Sequence, residues 1–198
     1  MKKLNLIIGA ALLVGTLQAC HNGAKDSAQT ADSLNAVKDT TKTDTTKGLA
    51  GVPDDDDAKF AVKATCGGLT EIALSKLALA QATDSRIKQF ANMMIMDHTK
   101  AGNQLAALAK SKNITVPTAP DSSQQKTINK LSTKTGKDFD MAYIDQMVTD
   151  HKNTISLFED EQKNAKDADI KAFVTNTLPT LHKHLDAINT VKAECSKM

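Results

Sequence analysis

The sequence predicts an all-α protein, a bundle of four long helices with one long connection between the second and the third. Three observations predict it. Aromatic residues make up 3% of the chain and Trp is absent, which argues against a β-sandwich. Ala, Leu, Lys, Gln and Met, all good helix formers, dominate the second half. In that half, apolar residues recur with the 4-3-4-3 spacing that packs helix against helix.

The chain begins differently. Met1-Lys2-Lys3 is a short basic start, followed by a nearly uncharged apolar stretch from Leu4 to Gly15. That stretch is short for a membrane span and has the length of an export signal's apolar core. It ends in Leu17-Gln18-Ala19-Cys20, which resembles the bacterial lipobox. The resemblance implies cleavage before Cys20, attachment of diacylglycerol to its sulfur, and acylation of the new amino terminus. At about 0.8 kcal/mol per buried methylene, several acyl chains make a durable anchor. The expected partner is therefore a membrane, reached through the N-terminal lipid. The expected location is the cell envelope, on the outer membrane facing the periplasm or the cell surface. Without Lys2 and Lys3 the basic and acidic residues balance at 23 each, so no basic stripe invites nucleic acid.

From His21 to Pro53 the chain is Thr, Asp, Lys, Ser, Ala and Gly with few large apolar residues, which predicts a disordered tether. The expected division is residues 1–19 as signal peptide, 20–56 as lipidated cysteine and tether, and 57–198 as the bundle. Asp54 to Asp57 read as a helix cap with favourable macrodipole contacts rather than a calcium site.

The first long helix is expected from about Ala58 to Ala82, and the second from Asp84 to about Lys112. Pro117 and Pro120 mark the connection, and Ser122-Ser123-Gln124-Gln125 reads as a capping box opening a short helix that stops near Gly136. The third follows Asp138 and runs to about Ala165; the fourth follows Asp167 and runs nearly to the end.

Each long helix carries one apolar seam, and each seam is interrupted near its middle by an ionisable residue: Glu71, His98, His151 and His184. The first three lie about 13 residues into their helices and the last about 16, which at a rise of 1.5 Å per residue puts all four at nearly one height. Burying these groups together costs several kcal/mol unless they are paired or bound. One carboxylate with three imidazoles is a competent set for zinc, iron, manganese or copper. Phe90-x-x-x-Met94-x-x-Asp97-His98 reappears as Tyr143-x-x-x-Met147-x-x-Asp150-His151. Met94 and Met147 are candidate soft ligands suited to Cu(I), and Asp97 and Asp150 are candidates to orient an imidazole by accepting its N–H. The alternatives are a hydrogen-bonded polar layer without metal, in which Met is ordinary core filling, and a chance alignment of the four residues. His182 falls off the seam and reads as surface.

Pro179 is expected to kink or interrupt the fourth helix. Gly67-Gly68 suggests close approach of a neighbouring helix. Cys66 and Cys195 miss each other by about 9 Å along the axis if Glu71 and His184 are level, so no disulfide is expected.

Phe60…Gly68…Glu71, Phe90-Ala91…Met94…Asp97-His98, Phe139-Asp140…Tyr143…Met147…Asp150-His151 and Leu178-Pro179…His184-Leu185 together resemble the bacterial domain-of-unknown-function family 4142, over roughly Asp57 to Ala193. The resemblance implies an exported protein with a ferritin-like four-helix fold, the long crossover lying between Asn113 and Gly136. It implies no established activity. Di-iron bundles take a Glu from each of two helices and Glu-x-x-His from the other two. Here Ile95, Val148 and Leu181 stand three before the histidines, so iron storage and oxygen-activating di-iron chemistry are poorly supported. Three functional classes remain: a metal-binding envelope module, a non-catalytic structural or stress-related envelope protein, and a metal-dependent oxidoreductase. No nucleophile–base pair, phosphate loop or Cys-x-x-Cys offers catalysis without metal, and Ser75 has no evident base.

Overall fold

The computed structural model describes residues 26–40 and 54–197. The expected signal peptide, Cys20 and most of the expected tether lie outside the described residues. Six helices occur among those described: α1 (Ser27–Thr40), α2 (Asp55–Gln81), α3 (Ser85–Ser111), α4 (Ser122–Ser132), α5 (Gly136–Asn164) and α6 (Ala168–Cys195). None is long and apolar enough to cross a membrane.

The four long helices α2, α3, α5 and α6 form the bundle. Helix α2 packs on α3 and α5, and α6 packs on the other side of each. The direction of α5 follows from its ends. Phe158, late in α5, stacks edge-on against Phe60, early in α2, with ring centroids 5.0 Å apart. Asp140, early in α5, accepts from the backbone N–H of Thr83, just past α2. Helix α5 is thus antiparallel to α2, and the segment from 112 to 135 must climb the length of the bundle, carrying α4, as the expected crossover does.

Caps define the helix starts. Asp54, Asp84 and Asp167 accept from N–H groups of the first turns of α2, α3 and α6. The capping box of α4 sits one residue earlier than expected, with Asp121 as cap and Gln124 reaching back. Helix α6 runs unbroken through Pro179, whose ring lies on the exposed face. A side chain built at Gly67 or Gly68 would meet Thr154 Oγ1 or His98 Nδ1 at 3.9 and 3.8 Å, ordinary contact rather than the close approach expected. Cys66 and Cys195 are buried and free.

The tether expectation is corrected over Ser27–Thr40, which is helical and docked. Ala31 and Asn35 are its buried residues. Asn35 makes both bonds a backbone strand would make to Thr115: its amide donates to the carbonyl at 2.9 Å and its oxygen accepts from the N–H at 2.8 Å. Lys38 donates to the Asn113 carbonyl, and Ser27 to that of Ala119. The helix packs against α2 and is tied to the crossover by polar bonds, with Ala31 as its buried apolar residue, so hydrophobic patterning gave little sign of it.

Candidate metal centre

The bundle interior consists of two apolar clusters. One contains Leu74, Ile87, Phe90, Met94, Tyr143, Ile144, Met147 and Ile188; the other contains Phe60, Leu105, Ile155, Phe158, Ile170, Val174 and Leu181. Between them lie Glu71, His98, His151 and His184, one from each long helix, with 1%, 7%, 0% and 1% of their surface exposed. The four sequence candidates are therefore brought to one level.

The three imidazoles face one another. Ring centroids are 5.9 Å apart for His98 and His151, 5.3 Å for His98 and His184, and 5.4 Å for His151 and His184. One ring nitrogen of each lies within 4.8 Å of those of the other two. The outer nitrogens of His151 and His184 are hydrogen-bonded, and that of His98 faces a carboxylate. His151 Nδ1 donates to the Met147 carbonyl, 2.8 Å away and one turn back on α5. His184 Nε2 donates to Asp97 Oδ2 at 2.9 Å. His98 Nδ1 stands 3.2 Å from Glu71 Oε2. The opposite nitrogens, Nε2 of His98 and His151 and Nδ1 of His184, are buried with no hydrogen-bond partner.

This arrangement fits a metal ion. Metal-bound imidazoles carry their remaining N–H on a carboxylate or carbonyl, which fixes the tautomer and turns a lone pair inward. Burial, with the neighbouring His184 and His151, lowers His98 to about 3. Burial, with His184, lowers His151 to about 4, against the opposing pull of the Met147 carbonyl. Both rings are neutral at physiological pH, as ligation requires.

The remaining candidates divide. Glu71 lies 3.2 and 3.5 Å from the Nδ1 atoms of His98 and His151, on the side of those rings away from the unpaired nitrogens, and it is not in the converging three-histidine group. Burial and the charge of Asp150 hold its carboxyl well above the usual carboxylate range. Asp97 orients a histidine, but on α6 rather than its neighbour His98. Asp150 orients none: Gln146 Nε2 donates to its Oδ1 at 2.8 Å, and Oδ2 is buried and unpaired. Met94 and Met147 are fully buried in the apolar cluster with Phe90 and Tyr143. Ser75 and Tyr143 share a buried hydrogen bond of 2.9 Å. His182 is half-exposed, 3.8 Å from Glu159.

A cavity of about 420 Å³ reaches His98 and His184 from one side, lined also by Gly68, Leu105, Phe158 and Leu181. Three nitrogens beside a cavity could hold an ion and leave room for a further ligand.

Known proteins share this frame. The crystal structure of a DUF305 fragment from Deinococcus radiodurans superimposes with a TM-score of 0.64 at 10% identity, covering 74% of this chain and 99% of that one, a likeness of fold alone. No curated protein matches. The family described as a domain of unknown function, DUF4142, matches residues 24–191, which takes in the docked helix α1 as well as the bundle. The chain belongs to the DUF4142 family.

Proposed function

We propose that this protein is an exported, lipid-anchored envelope protein whose bundle holds one transition-metal ion on His98, His151 and His184. Two observations on the same residues carry the reading: His98, His151 and His184 each offer a ring nitrogen within 4.8 Å of the others, and each has one buried ring nitrogen without a partner. Leaving three such groups unsatisfied costs about 1–3 kcal/mol apiece, and one ion satisfies all three. Imidazole donors suit zinc, copper and iron. Metal content measured after expression in the native compartment, with zinc, iron, manganese and copper assayed together, tests it. About one equivalent per chain is expected, lost in His98→Ala and His151→Ala. Protein that arrives empty and takes up none of the four would return the layer to a structural role. The anchor rests on Leu17-Gln18-Ala19-Cys20. Cys20→Ser is expected to release the protein from membranes and to lack the mass of the acyl chains; a membrane-bound variant of unchanged mass would overturn the anchor.

The cavity beside His98 and His184 favours a second reading, an oxidoreductase in which a redox-active ion meets a small ligand there. Ligand-induced change in the visible spectrum of the copper- or iron-loaded protein separates it from a closed binding site.

A further inference from the structure

Charge balances over the mature chain but not along the crossover. Lys126, Lys130, Lys134 and Lys137 follow Ser122 with no acidic residue among them. Helix α4 packs on α2 and α5, and Lys126 and Lys130, four residues apart and so neighbours on one face, are exposed. Lys134 is half-buried in the turn after α4, and Lys137 is exposed at the start of α5. None of the four forms an ion pair with the described residues. Asp121, which precedes the run, is held by the N–H groups of Ser123 and Gln124. The N-terminal part of the chain arrives at the same place. Asp26 accepts from the N–H of Ser122 at 3.2 Å, and Ser27 donates to the Ala119 carbonyl at 2.8 Å. With Asn35 on Thr115 and Lys38 on Asn113, the docked α1 pins Asp26 at the start of α4. Only six residues lead from there back to Cys20, and six residues span at most about 20 Å. Helix α4, with 11 residues, is about 16 Å long. A lipid on Cys20 therefore brings headgroups within reach of α4, instead of leaving the bundle at the end of a long tether.

Resting on the lipid anchor read at Cys20, we propose that the lysine-bearing side of α4 docks on an anionic phospholipid surface. The bundle then lies with its crossover against the membrane, and α6, which packs on α3 and α5 opposite α2, is turned away from it. The acyl chains retain the protein by themselves, so the lysines select which side faces the lipid. Each Lys close to an anionic surface favours that arrangement by about fivefold, and the attraction fades within about 10 Å at 0.1 M salt. Four lysines at that distance are enough to make one orientation dominant, and reversing two of them removes it. A nucleic acid would meet the same charges, but the pinned Asp26 delivers a lipid to this side of the bundle.

The test uses the full lipidated chain, its acyl mass confirmed, in phosphatidylcholine vesicles with and without phosphatidylglycerol. A fluorophore is attached in turn at Asn129→Cys on α4 and at Lys183→Cys on α6, both exposed positions, while Cys66 and Cys195 are buried. A quencher carried on the lipid headgroup reads the distance of each from the membrane. With phosphatidylglycerol present, quenching at Asn129→Cys is expected to exceed that at Lys183→Cys by about threefold or more. Adding Lys126→Glu and Lys130→Glu is expected to abolish the difference, and so is high salt with the lysines intact, which decides the matter should the charge-reversed chain not fold. Equal quenching at the two positions on anionic vesicles overturns the orientation and leaves the anchor standing. A difference that survives both charge reversal and high salt overturns the role of the lysines. A chain without acyl mass overturns the anchor and the orientation together. Tighter binding of the Cys20→Ser chain to a DNA duplex than to the anionic vesicles assigns the lysines to nucleic acid and overturns the proposal.

Discussion

Asp97 accepts a hydrogen bond at 2.9 Å from Nε2 of His184, a residue on another helix, and not from the adjacent His98. The pair joins α3 to α6 at the level of the polar layer and fixes the tautomer that turns His184 Nδ1 inward. Removing such a support typically costs 10–100-fold in metal affinity. Asp97→Ala is expected to weaken metal binding by about that factor, with little effect on unfolding of the stripped protein because Asp97 is 40% exposed. Asp97→Asn, whose amide oxygen still accepts, should lie between. Competition titration with a chelator of known affinity measures this, and equal affinities for wild type and Asp97→Ala would mean that His184 is not a ligand.

Much of this site was legible because helical periodicity is strict. Glu71, His98, His151 and His184 each take a seam position, and counting turns placed them at one height. Which atoms pair was not legible, because that depends on how far each helix is rotated about its axis. A few tens of degrees decide whether Asp97 meets His98 or His184, and whether Glu71 joins the three-histidine group or stands behind two of its rings. The same limit hid Asp150, read as a histidine's partner and found with Gln146 on the wall of a cavity. Helix α1 escaped for another reason: Asn35 and Lys38 dock it through main-chain groups of the crossover, a mode with no apolar signature.

Two further buried carboxylates, Asp57 and Asp140, were invisible as a pair yet act alike. Asp140, early in α5, accepts from the N–H groups of Thr83 and Asp84 in the α2–α3 turn. Asp57, early in α2, accepts from those of Lys166 and Asp167 in the α5–α6 turn at 3.0 and 2.8 Å. Each hairpin thus caps the turn of the other, which fixes their relative height and so the level of the histidines. Replacing either by Ala leaves two backbone donors short of a charged acceptor. A loss of about 2–4 kcal/mol is expected for each variant by urea denaturation. A cost under about 0.5 kcal/mol would show that these contacts are replaced by water at no loss.

Glu161 provides a pH signature at the same end of the bundle. Burial, together with a hydrogen bond to Asp57 and the charges of Asp57, Asp56 and Asp54, raises its carboxyl to about 7. The folded state therefore retains a proton that the unfolded chain releases near its ordinary value of about 4.3. The stabilisation linked to that proton is fully present below about pH 4 and is lost as pH rises through about 7. Glu161→Gln lacks this loss. At pH 8 the variant is expected to be more stable than wild type by about 1–3 kcal/mol, with the advantage gone at pH 4. Parallel pH profiles for the two proteins would show that Glu161 ionises without cost in the folded state.

Glu71 separates the metal reading from a purely structural layer without any metal analysis. Burial and the charge of Asp150 hold its carboxyl well above the usual carboxylate range, which opposes a strong ion pair in the stripped protein. With His98 and His151 also kept neutral, the layer in the metal-free state holds buried polar atoms short of partners. Glu71→Gln is close to isosteric and exchanges one such group for another. It is expected to change the stability of chelator-treated protein by less than about 1 kcal/mol. Metal reverses the comparison: once the imidazoles carry an ion, the carboxylate behind His98 Nδ1 supplies counter-charge that an amide does not, and the stabilisation gained on adding metal should shrink sharply in the variant. A structural network predicts the opposite, a loss of about 1–3 kcal/mol in the stripped protein and no response to metal in either form. Denaturation of both proteins, with and without Zn²⁺, distinguishes the two, and a variant indistinguishable from wild type in all four conditions would remove Glu71 from the site altogether.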